Sequence, residues 1–306
     1  MGPAPLTAGY NPNIWELGGE ILEIFNVKCD KLRLSGNISD SDIFVLTNYI
    51  QNDIETETIG LTTSTSVRGK FFCMDENSVY FEYDKTRADS WGINNFFLEF
   101  NPSKLSQDRQ YQLKTKILYA VSDLKANRYD LAVEFDFSLA DVWHEVKGQK
   151  VAKYYGVNGE LETWYIGTAG SDMLVRIYNK NKQLEDTDDL ENRREGDWWR
   201  YEVQYNRWRL IEKILDNGFS FDRQIKIPDY SSVSPMDKIV LNSMNSTPDL
   251  FSSLSKNTKT SYRKKMRELP ALLDVRSMIN SALKEKTPQL LAELKGWLAS
   301  GKLATV

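Results

Sequence analysis

The chain has 306 residues, 41% of them hydrophobic and 12% aromatic with eight Trp, so it can bury a core and is not a disordered chain; the length suits about two domains. Its 39 basic and 43 acidic residues leave a net charge of −4, so bulk charge does not point to a nucleic-acid partner, and a single histidine, His144, excludes any two- or three-histidine metal site. Two cysteines without metal-ligand spacing, a start at Met1-Gly2-Pro3-Ala4-Pro5 without a signal-peptide pattern, and no apolar run of membrane-spanning length predict a reduced, cytoplasmic protein with no membrane partner.

Residues 1–28 read as an N-terminal arm, Pro-rich at first and then amphipathic around Ile14–Phe25. Lys31–Ser35 alternates as a strand does, and Ser39 with Asp42 caps a helix presenting Ile43, Leu46 and Ile50 on one face. Val67–Met74 and Val79–Asp84 read as strands on either side of a polar turn, Asp75-Glu76-Asn77-Ser78, and Phe96–Asn101 as a third. Ser106 caps a helix with Leu113, Ile117, Ala120, Val121 and Leu124 at helical period. Asn127–Phe137 is a long strand, followed by strands at Glu162–Gly167, Met173–Tyr178 and Trp198–Arg207. The block Glu185–Asp197, with seven acids and two arginines, reads as a solvated loop or helix end. Past Leu215 helical patterns dominate. Thr287 is the expected N-cap of a last helix, with Pro288 at its first position, Leu290, Leu291, Leu294, Trp297 and Leu298 along one face, and Gly301 at its end. The predicted fold is α+β: a largely antiparallel central sheet with helices on one face and a helical C-terminal part, divided into the arm, a catalytic domain over 29–215 and a mostly helical region over 216–306.

Alternation sorts the strand side chains into two faces. Tyr129, Leu131, Val133, Phe135 and Phe137 oppose Arg128, Asp130, Ala132, Glu134 and Asp136; Trp199, Tyr201, Val203 and Tyr205 oppose Arg200, Glu202 and Gln204. Glu99 opposes Phe96, Leu98 and Phe100, and Leu174, Arg176 and Tyr178 oppose Val175 and Ile177. A solvated face of an antiparallel sheet produces such alternation without any function. Here, however, the polar faces carry few Ser, Thr or Lys, and Asp130, Glu202, Glu99 and Glu134 repel one another unless a cation or an arginine offsets them. Such hard oxygen ligands suit Mg²⁺ or Mn²⁺. Arg176 and Arg200 are suited to forked hydrogen bonds with a phosphate. Tyr178, flanked by Arg176 and Lys180, is then placed as a nucleophile for a phosphodiester, and a phenol of pKa near 10 needs positive surroundings to ionise. The lone His144 argues against the paired-histidine metal site of the largest class of single-strand DNA nickases, and itself reads as a surface or satisfied histidine.

The run from Lys256 to Arg267 holds six basic residues and no acid. Thr258 or Thr260 would cap a short helix there, and Lys256, Asn257, Thr258, Lys259, Thr260, Tyr262, Arg263 and Lys264 are candidate DNA contacts; the bland alternative is a solvated helix.

Ordered motifs along most of the chain carry a family resemblance. They are Val79-Tyr80-Phe81-Glu82-Tyr83-Asp84-Lys85, Ala88-Asp89-Ser90-Trp91, Leu98-Glu99-Phe100-Asn101-Pro102-Ser103-Lys104-Leu105, Arg128-Tyr129-Asp130-Leu131-Ala132, Tyr155-Gly156-Val157-Asn158-Gly159, Arg176-Ile177-Tyr178-Asn179-Lys180 and Trp199-Arg200-Tyr201-Glu202. In these the chain resembles the Rep_trans family of rolling-circle plasmid replication initiators, of the staphylococcal RepC and RepD type. The resemblance implies a homodimer that binds a double-strand origin and attacks the scissile phosphate with the tyrosine matching Tyr178. That attack leaves a 5′-phosphotyrosyl link and a 3′-OH primer, and a PcrA-type helicase is then recruited. It implies origin discrimination by the segment matching Asn257–Tyr262, and a metal set with Asp130 and Glu202 first and Glu99 and Glu134 behind. Val133-Glu134-Phe135-Asp136 and the stretch from Leu210 to Ser253 depart from the family pattern. A relaxase of a mobile element or a phage initiator would share the chemistry. A non-enzymatic origin-binding protein or a metal nuclease that uses water would not.

Overall fold

The strand at the centre of the fold begins where the N-terminal arm was expected to continue. The computed structural model describes residues 14–53, 56–58, 65–72 and 78–302. From Ile14 onward it shows a β-hairpin, β1 (Ile14–Leu17) and β2 (Glu20–Asn37), whose second strand runs 18 residues through the main sheet. The correction to an arm over 1–28 has a physical cause. Leu22, Ile24, Val27, Cys29, Leu32 and Leu34 are buried, but the pairing of β2 shifts register between Ile24 and Asn26 and between Cys29 and Lys31. Each shift advances the apolar side by three residues instead of two, so one long strand does not show one unbroken alternation.

The elements that follow are α1 (Asp40–Asp53), β3 (Thr56–Thr58), β4 (Ser66–Phe71), β5 (Val79–Asp84), α2 (Lys85–Trp91), β6 (Phe96–Phe100) and α3 (Gln107–Gln112). After them come β7 (Ser122–Phe135), β8 (Trp143–His144), β9 (Val151–Tyr155), β10 (Leu161–Ile166), β11 (Met173–Asn179), α4 (Lys180–Asp186), β12 (Trp199–Tyr205) and α5 (Trp208–Asn217). The chain ends with β13 (Ile225–Pro228), α6 (Pro235–Ser246), α7 (Pro248–Ser253), α8 (Lys256–Glu268), β14 (Ala271–Leu273) and α9 (Val275–Leu298). Ile43 and Leu46 of α1 are buried as expected; the side chain of Ile50 and the turn residues 75–77 lie outside those described. Ser106 does cap α3, accepting from Arg109 N at 3.3 Å, but the helix passes through a wide turn, Leu113–Ile117, and a tight one, Leu118–Ala120, and stops there; Leu124 belongs to β7.

Among the described residues the main sheet has eleven strands in the order β3-β4-β5-β6-β2-β7-β12-β11-β10-β9, with β1 paired to β2, and the pairings are antiparallel. Its apolar face packs on α1, α5 and α9 in one core that includes Leu131, Val133, Phe135, Ile177, Tyr201, Ile211 and Trp297. A three-stranded sheet, β14-β13-β8, carries a small second core of Trp143, Leu241 and Met266 under α6 and α8.

The last helix differs from its expected start. Asp274, accepting from Ser277 N at 3.0 Å, is the N-cap, and Thr287-Pro288 lies inside a helix of 24 residues. Pro288 removes one helical hydrogen bond and crowds the preceding turn. The helix tolerates it because both halves are anchored in the same core, Met278, Ile279, Ala282 and Leu283 before it and Leu290, Leu294 and Trp297 after it. The region past Leu215 is therefore not purely helical, and α9 returns to the main sheet, with the Trp297 ring 4.6 Å from that of Phe100. Among the described residues no helix is long and apolar enough to cross a membrane.

Candidate active site

Register places the polar side chains of four adjacent strands in rows. Tyr178 on β11 pairs with Arg200 on β12, Arg200 with Glu134 on β7, and Glu134 with Asn26 on β2. One step along, Arg176 pairs with Glu202 and Glu202 with Ala132, itself opposite Lys28. The face that could have been solvated is largely buried here: Asp130, Glu134, Arg200, Glu202 and Gln204 are buried, and the Arg176 side chain remains 26% exposed.

Each charge has a partner. The Tyr178 hydroxyl donates to Glu202 Oε2 at 3.3 Å and accepts from Arg200 Nη1 at 3.1 Å. Arg200 Nη1 also meets Asp30 Oδ1 at 3.1 Å, and its Nη2 donates to Glu134 Oε1. Glu134 is further held by Asn26 Nδ2 at 2.8 Å and by Lys28 Nζ at 3.3 Å. Arg128 clamps Asp130 with two bonds, at 2.8 and 2.5 Å. Arg176 Nη2 bridges Asp130 Oδ2, at 3.1 Å, and Glu202 Oε1.

Burial of this network decides its protonation. It pushes the Tyr178 phenol well above its usual value; Arg200 opposes that rise and Glu202 adds to it. The positive surroundings expected to ionise the phenol are thus matched by carboxylates, and the free protein holds a protonated, buried tyrosine. Burial also raises Glu202, to about 7, where the pull of Arg176 is countered by Asp130 and Asp30. Burial acts the same way on Glu134 and Asp30, but Arg200 and Lys28 outweigh it and hold both below the usual carboxylate range. Lys180 is lowered to about 8 by burial and by Arg200, and its ammonium donates to Gln183 Oε1 at 2.8 Å, not to Tyr178.

The four expected metal ligands do not gather. Among the described residues no three acidic, histidine or cysteine side chains are disposed to hold one ion. Glu99 is engaged by Arg33 Nη2 at 2.6 Å and Lys31 Nζ at 3.4 Å, and Glu134 lies across Arg200 from Glu202. Asp130 and Glu202 alone converge on one point, and the Arg176 Nη2 occupies it. Two carboxylates suit a hard divalent ion that completes its shell with water and a substrate phosphate, but Arg128 engages both Asp130 oxygens and Arg176 bridges the pair, so this pair fits Mg²⁺ or Mn²⁺ only if both guanidiniums give way.

Asn26, Lys28 and Asp30 were missed because only the Lys31–Ser35 portion of β2 read as a strand; their signal was the three-residue steps in its apolar spacing. Arg128 was seen on the polar face, but its clamp on Asp130 needs the fold. His144 is buried, with Nε2 2.9 Å from the Tyr201 hydroxyl and Nδ1 2.9 Å from Glu145 O, and burial lowers it to about 4, so it is a satisfied core histidine and not a surface one.

The basic run lies apart from this cluster, on α8. Its cap is Ser255, accepting from Thr258 N at 3.2 Å, in place of Thr258 or Thr260. Lys256, Asn257, Thr260, Arg263 and Lys264 are exposed; Thr258, Lys259 and Tyr262 are half-buried. Tyr262 bonds Asp237 Oδ1 at 2.8 Å, and Lys259 Nζ reaches Ser252 O at 2.8 Å, fastening α8 to its neighbours.

Comparison with known proteins gives consistent matches. A family model described as replication initiation factor (Rep_trans) matches residues 127–298, and one described as replication initiation protein, N-terminal, matches residues 31–121. A Staphylococcus aureus replication initiation protein is 30% identical over 272 residues, covering 88% of this chain and 83% of its own. Another from the same organism is 32% identical over 226 residues, covering 72% and 70%. A solved structure of a rolling circle replication initiator protein from Geobacillus stearothermophilus is 17% identical with a TM-score of 0.43, covering 86% of this chain and 97% of its own.

Proposed function

The chain belongs to the replication initiation factor family, and from that premise we propose that it initiates rolling-circle replication of a plasmid by nicking and rejoining one origin strand through Tyr178. The observation that carries this reading is the phenol itself, set between the Arg200 guanidinium and the Glu202 carboxylate. In the proposed step the phenol proton passes to Glu202 Oε2, the phenolate oxygen bonds to the scissile phosphorus, and the bond from phosphorus to the 3′ oxygen breaks. The departing oxygen takes a proton from solvent. The products are a 5′-phosphotyrosyl link and a 3′-OH, and attack by a 3′-OH reverses the step and closes the strand.

Glu202 suits the proton transfer because its Oε2 accepts from the phenol at 3.3 Å and burial raises its affinity for a proton in the metal-free protein. Arg176 and Arg200 offer forked donors to the phosphate oxygens. Asp130 and Glu202 would hold Mg²⁺ or Mn²⁺, which supplies Lewis-acid polarisation of a phosphoryl oxygen. Glu202 divides these duties between its oxygens, Oε1 facing Arg176 and Oε2 facing Tyr178. The exposed Lys256, Asn257, Arg263 and Lys264 of α8 would meet origin phosphates and base edges. A homodimer on double-strand origin DNA and a PcrA-type helicase partner follow from the same family reading.

The test is a denaturing gel of the protein with a supercoiled plasmid carrying its origin, with and without Mg²⁺ or Mn²⁺. Nicked and relaxed plasmid and a covalent protein–DNA adduct are expected, and Tyr178→Phe should abolish both. An adduct formed by Tyr178→Phe, strand cleavage with no adduct, or origin binding without cleavage would each overturn the proposal.

A further inference from the structure

A second site opens on the same face of the sheet, between α2 and strands β5, β6 and β2. It is a cavity of about 540 Å³ lined by Trp91, Tyr80, Phe97, Arg33, Arg87 and Glu82, among others, within the usual size range of small-ligand pockets. We propose that this cavity binds one unpaired nucleotide of the strand being cut, its base stacked on the aromatic wall and its phosphate on the arginines. The identity of the DNA rests on the strand-cutting reading above; the cavity's chemistry does not.

The aromatic wall is built for a flat partner. Trp91 is the last residue of α2 and is 71% exposed. It is held out by caps at both ends of its short helix: Asp84 accepts from Arg87 N at 2.8 Å, and Gly92, at φ 62°, turns the chain back to β6. That backbone conformation favours glycine. Ile93, also exposed, lies beside it in the cavity. One helical turn before Trp91, the Arg87 guanidinium sits 5.3 Å from the Phe97 ring centroid, so the cavity wall presents stacked planar groups. A lone exposed apolar residue needs no explanation; a Trp and an Ile that share one cavity with an arginine–aromatic stack do. The faces of a base are free for such stacking only when it is unpaired and unstacked, which selects single-stranded over duplex DNA.

The charge selects an anion. Three cations, Lys31, Arg33 and Arg128, converge on Glu99, and two, Arg68 and Arg87, on Glu82. Arg128 also holds Asp130 and Arg68 lies 3.9 Å from Asp84, so these five cations face four carboxylates, an excess of one in a chain of net charge −4. Arg33 spends Nε and Nη2 on Glu99 while 43% of its side chain remains exposed, and the buried Arg87 Nε has no hydrogen-bond partner.

The cavity also connects to Tyr178. β6 and β11 are four strand spacings apart, about 19 Å. Between them runs one chain of ion pairs, Glu99–Arg128–Asp130–Arg176–Glu202, that ends in the hydrogen bond from Tyr178 to Glu202. A strand lying along this chain would seat one nucleotide at Trp91 while a phosphate a few nucleotides away reaches the phenol.

The experiment is fluorescence anisotropy of the full chain, without divalent metal, against two fluorescein-labelled probes: a twelve-residue oligodeoxythymidylate and an abasic oligomer of the same length. The first carries bases and phosphates, the second phosphates alone. Stacking one base on an aromatic side chain is worth roughly 5- to 150-fold in affinity. Trp91→Ala should therefore lose about tenfold or more on the first probe and little on the second, while Trp91→Phe keeps most of the affinity. Trp91→Ala binding the thymidylate as the unsubstituted chain does, or losing equally on both probes, would overturn the proposal. Circular dichroism checks that the variant is folded. A chain that forms no adduct with its origin yet shows the base-dependent Trp91 effect refutes the cutting reading and leaves the pocket standing; adduct formation without that effect refutes the pocket alone.

Discussion

Replacing Arg200 by Met probes the most heavily shared group in the candidate site. Arg200 is 5% exposed and touches Asp30, Glu134 and the Tyr178 hydroxyl. Methionine fills part of its volume but leaves Glu134, itself buried, without its guanidinium. Removing one partner of a buried ion pair costs about 3–5 kcal/mol. Because Asn26 and Lys28 still hold Glu134, the lower end applies, about 3 kcal/mol, or roughly 6–10 °C in Tm for a chain of this size. The pH dependence has a definite sign. Glu134 and Asp30 have folded pKa values below their ordinary ones. Their contribution to stability is present above the unfolded carboxylate value, near 4.3, and is lost as pH falls through the folded value. The gap in Tm between the parent chain and Arg200→Met should therefore be widest near pH 7 and clearly smaller at about pH 3. Adding Glu134→Gln to Arg200→Met removes the stranded charge and should recover most of the loss. Calorimetric unfolding of the three proteins at both pH values is the measurement. An equal Tm gap at both pH values, or a double variant no better than the single one, would refute the ion-pair account.

Three further outcomes follow from the same structure. Glu202, raised to about 7, binds its proton more tightly in the folded chain, so its stabilising contribution is full below the unfolded carboxylate value and is lost as pH rises toward 7; Glu202→Gln should flatten this segment of the metal-free Tm–pH curve and, because it removes the proton acceptor, lower cleavage in the nicking assay at every pH. Trp297→Ala should cost about 3–5 kcal/mol in denaturant unfolding, since Trp297 is fully buried against Phe100; a loss below about 1 kcal/mol, less than truncation of a packed Trp, would contradict the return of α9 to the main sheet. Pro288→Ala should raise Tm, by about 1–3 kcal/mol in stability, because it restores a helical donor and relieves crowding in a helix already continuous through that position; an unchanged or lower Tm would count against that continuity.

Period-two alternation was enough to assign β5, β6, β7, β11 and β12 and to separate their apolar from their polar sides, because in a strand the direction of each side chain follows from its position alone. It put Arg176 and Tyr178 on one face of β11, and Asp130 with Glu134, and Arg200 with Glu202, on the matching faces of their strands. Composition excluded two- and three-histidine metal sites outright, and the ordered motifs pointed to the family that the comparisons support. Alternation within one strand says nothing about its neighbours. That Tyr178 meets Glu202 and Arg200, and that Asp130 and Glu202 share Arg176 while Glu99 and Glu134 belong to other cations, are matters of strand order and register; that Lys180 turns to Gln183 follows from the helix α4 that both residues belong to. Asn26, Lys28 and Asp30 join the cluster only because a strand with shifted register lies beside β7. Burial, too, was invisible along the chain: a face rich in charge reads as solvated until the tertiary fold lays arginines over carboxylates, removes the water, and leaves the phenol of Tyr178 protonated between them.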